Sequence, residues 1–462
     1  MKRVSFHELA ERELNDAALY YEQENAGLGF KFLEEVERYI GVIIKVAMEY
    51  FDRLGGLVNR LWREHWMDAE YFPEAATTAI REVPPHAHVN SRDVVAWAFA
   101  TNAIPPQLDL RSEFGEPPLT VYNDGDVIID VYFWLDGSTA IHQHAFAGAF
   151  FVLEGASVET VYEFRIGHRY NAQLLTGHLL PQQVRLNTRG TCHPIYPGQR
   201  FIHTLFHLDK PSVSIVIRIN TPWALPQYEY WWPGIAIQPF RDAFPLQQRR
   251  LELLTMLGFC RPGDLLPLFR AHVAHWAPHQ VLWGLNHTRR FFAGRLDDLR
   301  ELLRILTSIH GPLIDEAILA FKHNTDISDI FLLRNQVTDP ELRVLLGLFL
   351  NVRNRQQLLD LVVKYFPDRQ PIDAILTLVR RLFEDQSLRL DTNVLPQKRG
   401  PLTLSVLQGV LEGLSVEQLQ VRLAEQHVTG LEEIPTTFEQ LQASLLFNVL
   451  FEPGRVAFRS GQ

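Results

Sequence analysis

The chain has little cysteine, a deficit of positive charge and no apolar run long enough for a membrane. Its two cysteines, Cys192 and Cys260, build no disulfide framework. That points to a reducing cytoplasm rather than a stapled, secreted scaffold. Lys and Arg number 44 against 54 Asp and Glu, a net charge of -10, which argues against nucleic acid as a bulk partner. The apolar stretch YIGVIIKVA (39–47) is far short of a membrane span and contains Lys45, so no membrane partner is expected. The opening residues MKRVSFHELAERELNDAA turn acidic and helical too early for a signal peptide. What is present is globular: 47% hydrophobic and 21% charged residues over 462 positions, too long for one ordinary core and suited to two or three domains.

Three textures follow one another. The first segment predicts a short strand and two helices: Leu9, Leu14, Ala18 and Tyr21 recur at helical spacing, NAGLG (25–29) breaks the run, and FKFLEEVERYIGVI resumes it. Residues 1–44 resemble the start of a RelE/ParE-type toxin. The basic, strand-rich remainder that carries such a toxin's functional residues has no counterpart, so residues 1–47 are expected to be a helical-hairpin fragment left by a gene fusion or an upstream-extended reading frame. Met48 opens MEYFDRLGGLVNRLWREHW, a plausible protein start, and 48–116 reads as a helical lead-in. From Pro117 the texture becomes strands. LTVYNDGDVIIDVYFWLDG carries a hairpin signal at NDG, and AFFVLEG, VETVYEFRI, NAQLLTGHLL, GTCHPIYPG and SVSIVIRI follow at close spacing, as in a barrel or sandwich. From Pro245 to the end the pattern is amphipathic helix, with units at 246–259, 296–309, 339–352, 355–366 and 371–383. No firm repeat period emerges, so this part reads as an α-helical domain. The expected organisation is 1–47, 48–116, a β-barrel over 117–240 and an all-α domain over 245–462.

The chemistry concentrates in IHQHAFAGAFFVLEG (141–155). Residues i and i+2 of a strand project from one face, so His142 and His144 point at one spot. Two ordinary strand histidines would look the same; a metal site needs a further ligand from elsewhere in the chain.

Together with GTCHPIYPGQRFIHTLFHLDKPSVSIVIR (190–218), this stretch resembles the paired motifs of the cupin family, a small β-barrel that holds a metal. Gly137 precedes His142 by one residue fewer than the family pattern, Gly155 falls at the closing glycine, and Gly148 occupies the usual glutamate position. In the second motif Pro197 and Gly198 are adjacent, His203 comes slightly late, and His207 takes the asparagine position. The motif style is closest to the three-histidine thiol dioxygenases, which lack that glutamate. The resemblance implies a metal on His142, His144 and His203, with Fe(II) the expected ion and Zn, Ni or Cu also suited to imidazole. It leaves His207 as a fourth ligand, a donor that orients a ligand, or a rim residue. Two family features are missing. LTVYNDGDVII has no arginine to grip a substrate carboxylate, and Ser214, Val216 and Arg218 stand where a Ser-x-His-x-Tyr relay belongs. Arg218 on the inner wall would offer a guanidinium to a carboxylate or phosphate; on the outer face it would be a surface arginine, the reading that also fits Arg165.

Other residues read blandly. Cys192 suits a small buried position and His193, before a proline, a turn. The cluster Tyr228, Tyr230, Trp231 and Trp232 suits either a pocket mouth or packing between barrel and helices. The functional expectation is a cytoplasmic oxidoreductase of the non-haem Fe(II) dioxygenase kind acting on a small molecule, with Arg218 as a catalytic or substrate-facing residue. The alternatives are a non-catalytic metal- or ligand-binding sensor whose helical domain binds a protein partner, and an interaction protein whose barrel is vestigial.

Overall fold

The structure, a computed structural model, describes residues 8–100, 104–108, 114–135, 137–220, 226–240, 244–385, 388 and 394–451. The short strand expected at the very start lies outside these residues. Four helices come first: α1 (Glu8–Glu24), α2 (Leu28–Glu64), α3 (Phe72–Glu82) and α4 (Ser91–Ala100). Helix α2 runs through Met48 without a break, and Tyr50 and Phe51 on it are buried. None of the described helices is long and apolar enough to cross a membrane.

Twelve strands follow: β1 (Pro118–Asn123), β2 (Val127–Trp134), β3 (Gly137–Ser138), β4 (Ile141–Gln143), β5 (Gly148–Glu154), β6 (Ser157–Asn171), β7 (Leu174–Asn187), β8 (Cys192–Ile195), β9 (Ile202–His207), β10 (Ser212–Ile219), β11 (Glu229–Trp231) and β12 (Ile235–Ile237). The NDG signal does make a hairpin between β1 and β2. Gly125 takes a φ of 97°, and the Asp124 carboxylate accepts from the amides of Asp126 and Val127. One sheet has the order β1-β2-β10-β5-β8. The second closes on itself: β6 pairs β9, β9 pairs β4, β4 pairs β11, β11 pairs β12, β12 pairs β7 and β7 returns to β6. The result is a six-stranded closed barrel with the five-stranded sheet laid against one flank. Strands β11 and β12 complete the ring; β11 carries Tyr230 and Trp231 of the aromatic cluster and β12 follows it, and neither was among the expected strands.

Strand alternation divides the five-stranded sheet cleanly. Val127, Ile129, Val131, Val213, Ile215 and Ile217 face outward and pack under Phe51, Leu54, Val58, Phe72 and Trp97 of the helical lead-in. Each such side chain taken fully out of water contributes roughly 1.5–3 kcal/mol, which is what holds the lead-in on the sheet. Tyr132, Trp134, Phe150, Ser214, Val216 and Arg218 face the other way, into a cavity against the closed barrel.

Every regular element described after residue 244 is helical. Helices Pro245–Cys260, Leu296–His310, Pro340–Asn351, Arg355–Tyr365 and Pro371–Glu384 coincide with the expected units. Three of them open on a proline, whose missing N–H costs nothing at the first helical position, and Asp339 caps one by accepting from Glu341 and Leu342 amides. These helices share cores with the barrel. Val158, Phe206 and Leu208 join Leu345, Leu348 and Phe349, while Trp231, Ile235 and Ile237 join Leu254, Phe269 and Trp283. Arg334, fully buried, donates from Nη2 to the carbonyls of His207 (3.3 Å) and Leu208 (3.2 Å) at the end of β9.

Candidate metal centre

The third histidine is placed by sheet register. His142 on β4 sits directly opposite His203 on β9, and side chains so paired in an antiparallel ladder stand about 4.5–5.5 Å apart at Cβ. His144 follows two residues on and returns to the same face. The Gly198 amide donates to the His144 carbonyl at 2.8 Å, with Gly198 at a φ of 67°, so the Pro197–Gly198 turn fixes where His144 stands. His142, His144 and His203 present ligand nitrogens within 4.8 Å of one another.

The remaining ring nitrogens are engaged in ways that suit metal binding. His142 Nδ1 lies 2.7 Å from the Ala140 carbonyl and His203 Nδ1 lies 2.7 Å from Glu159 Oε1. Donation from both Nδ1 atoms leaves each Nε2 as a lone pair. His144 Nε2 and His203 Nε2 are 2.9 Å apart; two imidazole nitrogens about 2.1 Å from one ion, at a right angle, would stand about 3.0 Å apart. Burial, followed by the neighbouring imidazoles of His142 and His203, holds the His144 pKa well below the ordinary imidazole value, so this ring is neutral at physiological pH. The chemistry and spacing of the donors fit a divalent transition metal. No fourth ligand comes from the family's glutamate position, because a Cβ on Gly148 would meet the Ile217 carbonyl oxygen at 2.1 Å.

Glu159 is the residue that sequence reasoning missed. It is buried on β6 and accepts from Arg185 Nε at 2.5 Å and from Asn187 Nδ2 at 3.1 Å. Burial alone raises its carboxyl, but the hydrogen bond and charge of His203 and Arg185 outweigh burial and bring it below the ordinary carboxylate range. The available signal was a carboxylate flanked by β-branched residues in VETV (158–161). Asp130 in VIIDVYFW had the same signature.

Of the four expected histidines, three come together. His207 lies four residues beyond His203, about 13 Å along the strand, with its ring stacked on Trp134 at 4.3 Å and its Nδ1 3.1 Å from Ser212 Oγ. Arg218 faces the cavity, where its Nε donates to Asp130 Oδ2 at 2.8 Å, and Asp130 also accepts from Thr120 Oγ1 at 2.7 Å. Arg165, by contrast, is exposed and paired with Glu163. His193 lies in strand β8 rather than in a turn, bonded to Asn187 Oδ1 at 2.9 Å, and burial brings its pKa down to about 4. Burial pushes the Cys192 thiol up to about 11, which makes it inert.

The three histidines line a cavity of about 510 Å³. Phe114, Tyr132, Trp134, Phe146 and Phe150 form its walls, and Gln248, Arg249 and Glu252 of the helix Pro245–Cys260 stand at its edge. Rings of Phe114 and Phe146 lie 4.9 Å from His142 and 4.8 Å from His144, so aromatic rings flank two of the three histidines.

No family model matches the sequence, and no curated protein sequence matches it. Solved structures match in part. A cupin-2 domain protein from Shewanella frigidimarina is 17% identical, covering 24% of this chain and 85% of its own, with a TM-score of 0.17. Hydroquinone 1,2-dioxygenase from a Sphingomonas species, with 4-hydroxybenzoate bound, is 10% identical over 24% of this chain and 70% of its own, TM-score 0.19. DMSP lyase from Ruegeria pomeroyi is 15% identical over 28% of this chain, TM-score 0.19, and the match spans 61% of the lyase's length. Scores this low add nothing to the strand pairing, which describes the barrel by itself.

Proposed function

We propose that this chain is a metal-dependent oxidoreductase of the cupin type, a non-haem Fe(II) oxygenase acting on a small molecule. One observation carries the reading: three imidazoles meet on one face at the wall of an aromatic-lined cavity, which leaves coordination positions open toward a substrate. A bound ion there would supply Lewis acidity and, as iron, a site for dioxygen; Zn, Ni or Cu would satisfy the same donors. Glu159 orients His203 and keeps its Nδ1 protonated. Phe114, Phe146 and Phe150 exclude water and receive an apolar or aromatic body. Arg218 positions an anionic group, with Asp130 compensating its charge when that group is absent. The substrate class that fits is therefore an aromatic or apolar molecule, neutral or singly anionic. Cysteine fits poorly, because Val216 and Arg218 replace the histidine and tyrosine of the thiol dioxygenase relay.

The experiment is purification without oxygen, metal analysis, reloading with Fe(II), and oxygen uptake against a panel of small aromatic acids, phenols and thiols. Rapid uptake with an aromatic member supports the reading; rapid uptake with cysteine shows that the relay was misjudged. Iron-loaded protein that consumes no oxygen with any member favours the second reading, a metal- or ligand-binding sensor whose helices engage a protein partner. That alternative draws on the core that Phe206 and Leu208 share with the C-terminal helices.

A further inference from the structure

A second cavity, of about 340 Å³, lies on the opposite face of the strands that carry the histidines. Alternation places Ile141 beside His142 and Thr204 beside His203, and these away-facing residues form its floor. Helices Pro312–Gln336 and Pro340–Asn351 close it from above. Arg353 projects into it, with its guanidinium carbon 4.6 Å from the Trp232 ring and 5.7 Å from the Tyr162 ring. Both rings line the cavity beside it. Among the described residues no carboxylate pairs with Arg353, in contrast to Arg185, Arg218 and Arg381, each of which has one. Burial pushes the Arg353 pKa down, with Tyr162 opposing, yet a guanidinium stays charged in a protein. Arg353 is half-buried, and a partly desolvated cation without a counter-charge is an arrangement that an anionic ligand relieves.

The walls narrow the ligand class. Arg353 is the one guanidinium or ammonium group lining the cavity among the described residues. A single planar fork matches a carboxylate in bidentate fashion, whereas a phosphate dianion calls for further positive charge. Tyr230, Trp231, Trp232 and Phe331 give the rest an aromatic lining, and the volume suits a small ligand. We propose that this cavity binds a small monocarboxylate with an aromatic body, held by Arg353 and stacked on Trp232, against the back of the strands that carry His142 and His203.

The test uses the full chain with benzoate as the probe, followed by titration calorimetry and tryptophan fluorescence. The expected result is one Arg353-dependent benzoate per chain with a Kd of about 1 mM or tighter, and binding about tenfold weaker for the uncharged benzamide. Arg353→Met should lose about tenfold in affinity and Arg353→Lys several-fold, since an ammonium lacks the fork. The Arg353-dependent binding should persist in Arg218→Met and in His144→Ala, which alter only the front cavity. Absence of benzoate binding, equal binding of benzamide, wild-type affinity in Arg353→Lys, or loss in Arg218→Met overturns the proposal. Should Arg353→Met not fold, the lysine variant decides, because it keeps the cation. Failure of the oxygenase reading would leave all these outcomes in place.

Discussion

The two cavities share a wall, and the difference between them is one of charge. On the front of β4 and β9, three imidazoles meet beside Arg218, whose charge is already answered by Asp130 at 2.8 Å. On the back, Arg353 lies against Trp232 and Tyr162 with no carboxylate among the described residues. A guanidinium in a preformed ion pair offers orientation but little net attraction, because a ligand anion must compete with the carboxylate; an uncompensated one offers attraction first. The period of two along a strand is what keeps the two chemistries apart. Adjacent residues such as His203 and Thr204 serve different sites, so substitutions separate them.

The sharpest break of this contrast is His144→Ala, which should reduce the metal content of purified protein to near zero. Unchanged occupancy on elemental analysis would mean that the front site is not the metal site at all. Next is Glu159→Gln, which keeps the shape but removes the charge behind His203. Metal affinity should weaken by about tenfold to a hundredfold, read by competition with a chelator, and an unchanged affinity would reduce Glu159 to a structural partner of Arg185. Asp130→Asn should make the front cavity more like the back one, raising its affinity for an anionic ligand several-fold, while Arg218→Met should lower it several-fold with metal retained. Calorimetry that finds both variants indifferent removes Arg218 from the site.

A smaller effect concerns acid. His193 titrates near 6.5 when unfolded and at about 4 when folded. Below pH 6.5 the unfolded chain takes a proton that the folded chain refuses, so stability should fall as pH drops from 6.5 to 4 and level off beneath. Allowing for its partial exposure, the loss is roughly 1–2 kcal/mol. Chemical denaturation of His193→Gln across that window should show a flatter slope than wild type, and an identical slope would assign the acid sensitivity elsewhere. The smallest change is expected on removing residues 1–47. Among the described side chains, those that the lead-in buries with the sheet run from Tyr50 onward, so a chain starting at Met48 should keep its metal and its solubility. Aggregation or metal loss would show that the first segment is an integral part of the fold.

Much of this was legible in the chain. The hairpin at NDG, the five expected strands after it and the five helical units all depend on local periodicity and turn chemistry, and each is found where the pattern places it. The histidine cluster was legible because H-x-H places two imidazoles on one face by strand geometry and a recognisable second motif supplies the third. What escaped depends on partners far apart in sequence. Glu159 meets His203 across 44 positions and Asp130 meets Arg218 across 88, and a carboxylate among apolar strand residues announces burial without naming its partner. Arg353 was equally silent. It sits in the short link between two helices, and its aromatic neighbours come from β6 and from the turn after β11, so only tertiary packing assembles that cavity.

Arg334 carries one further consequence. By binding the carbonyls of His207 and Leu208, it clamps the helix Pro312–Gln336 to the far end of the strand whose near end holds His203. The strand is thus tethered at both ends, to the site at one and to the helices at the other. Melting of the helical region should therefore not precede collapse of the site: heat should release metal and helix content in a single transition, and Arg334→Met should split that transition in two.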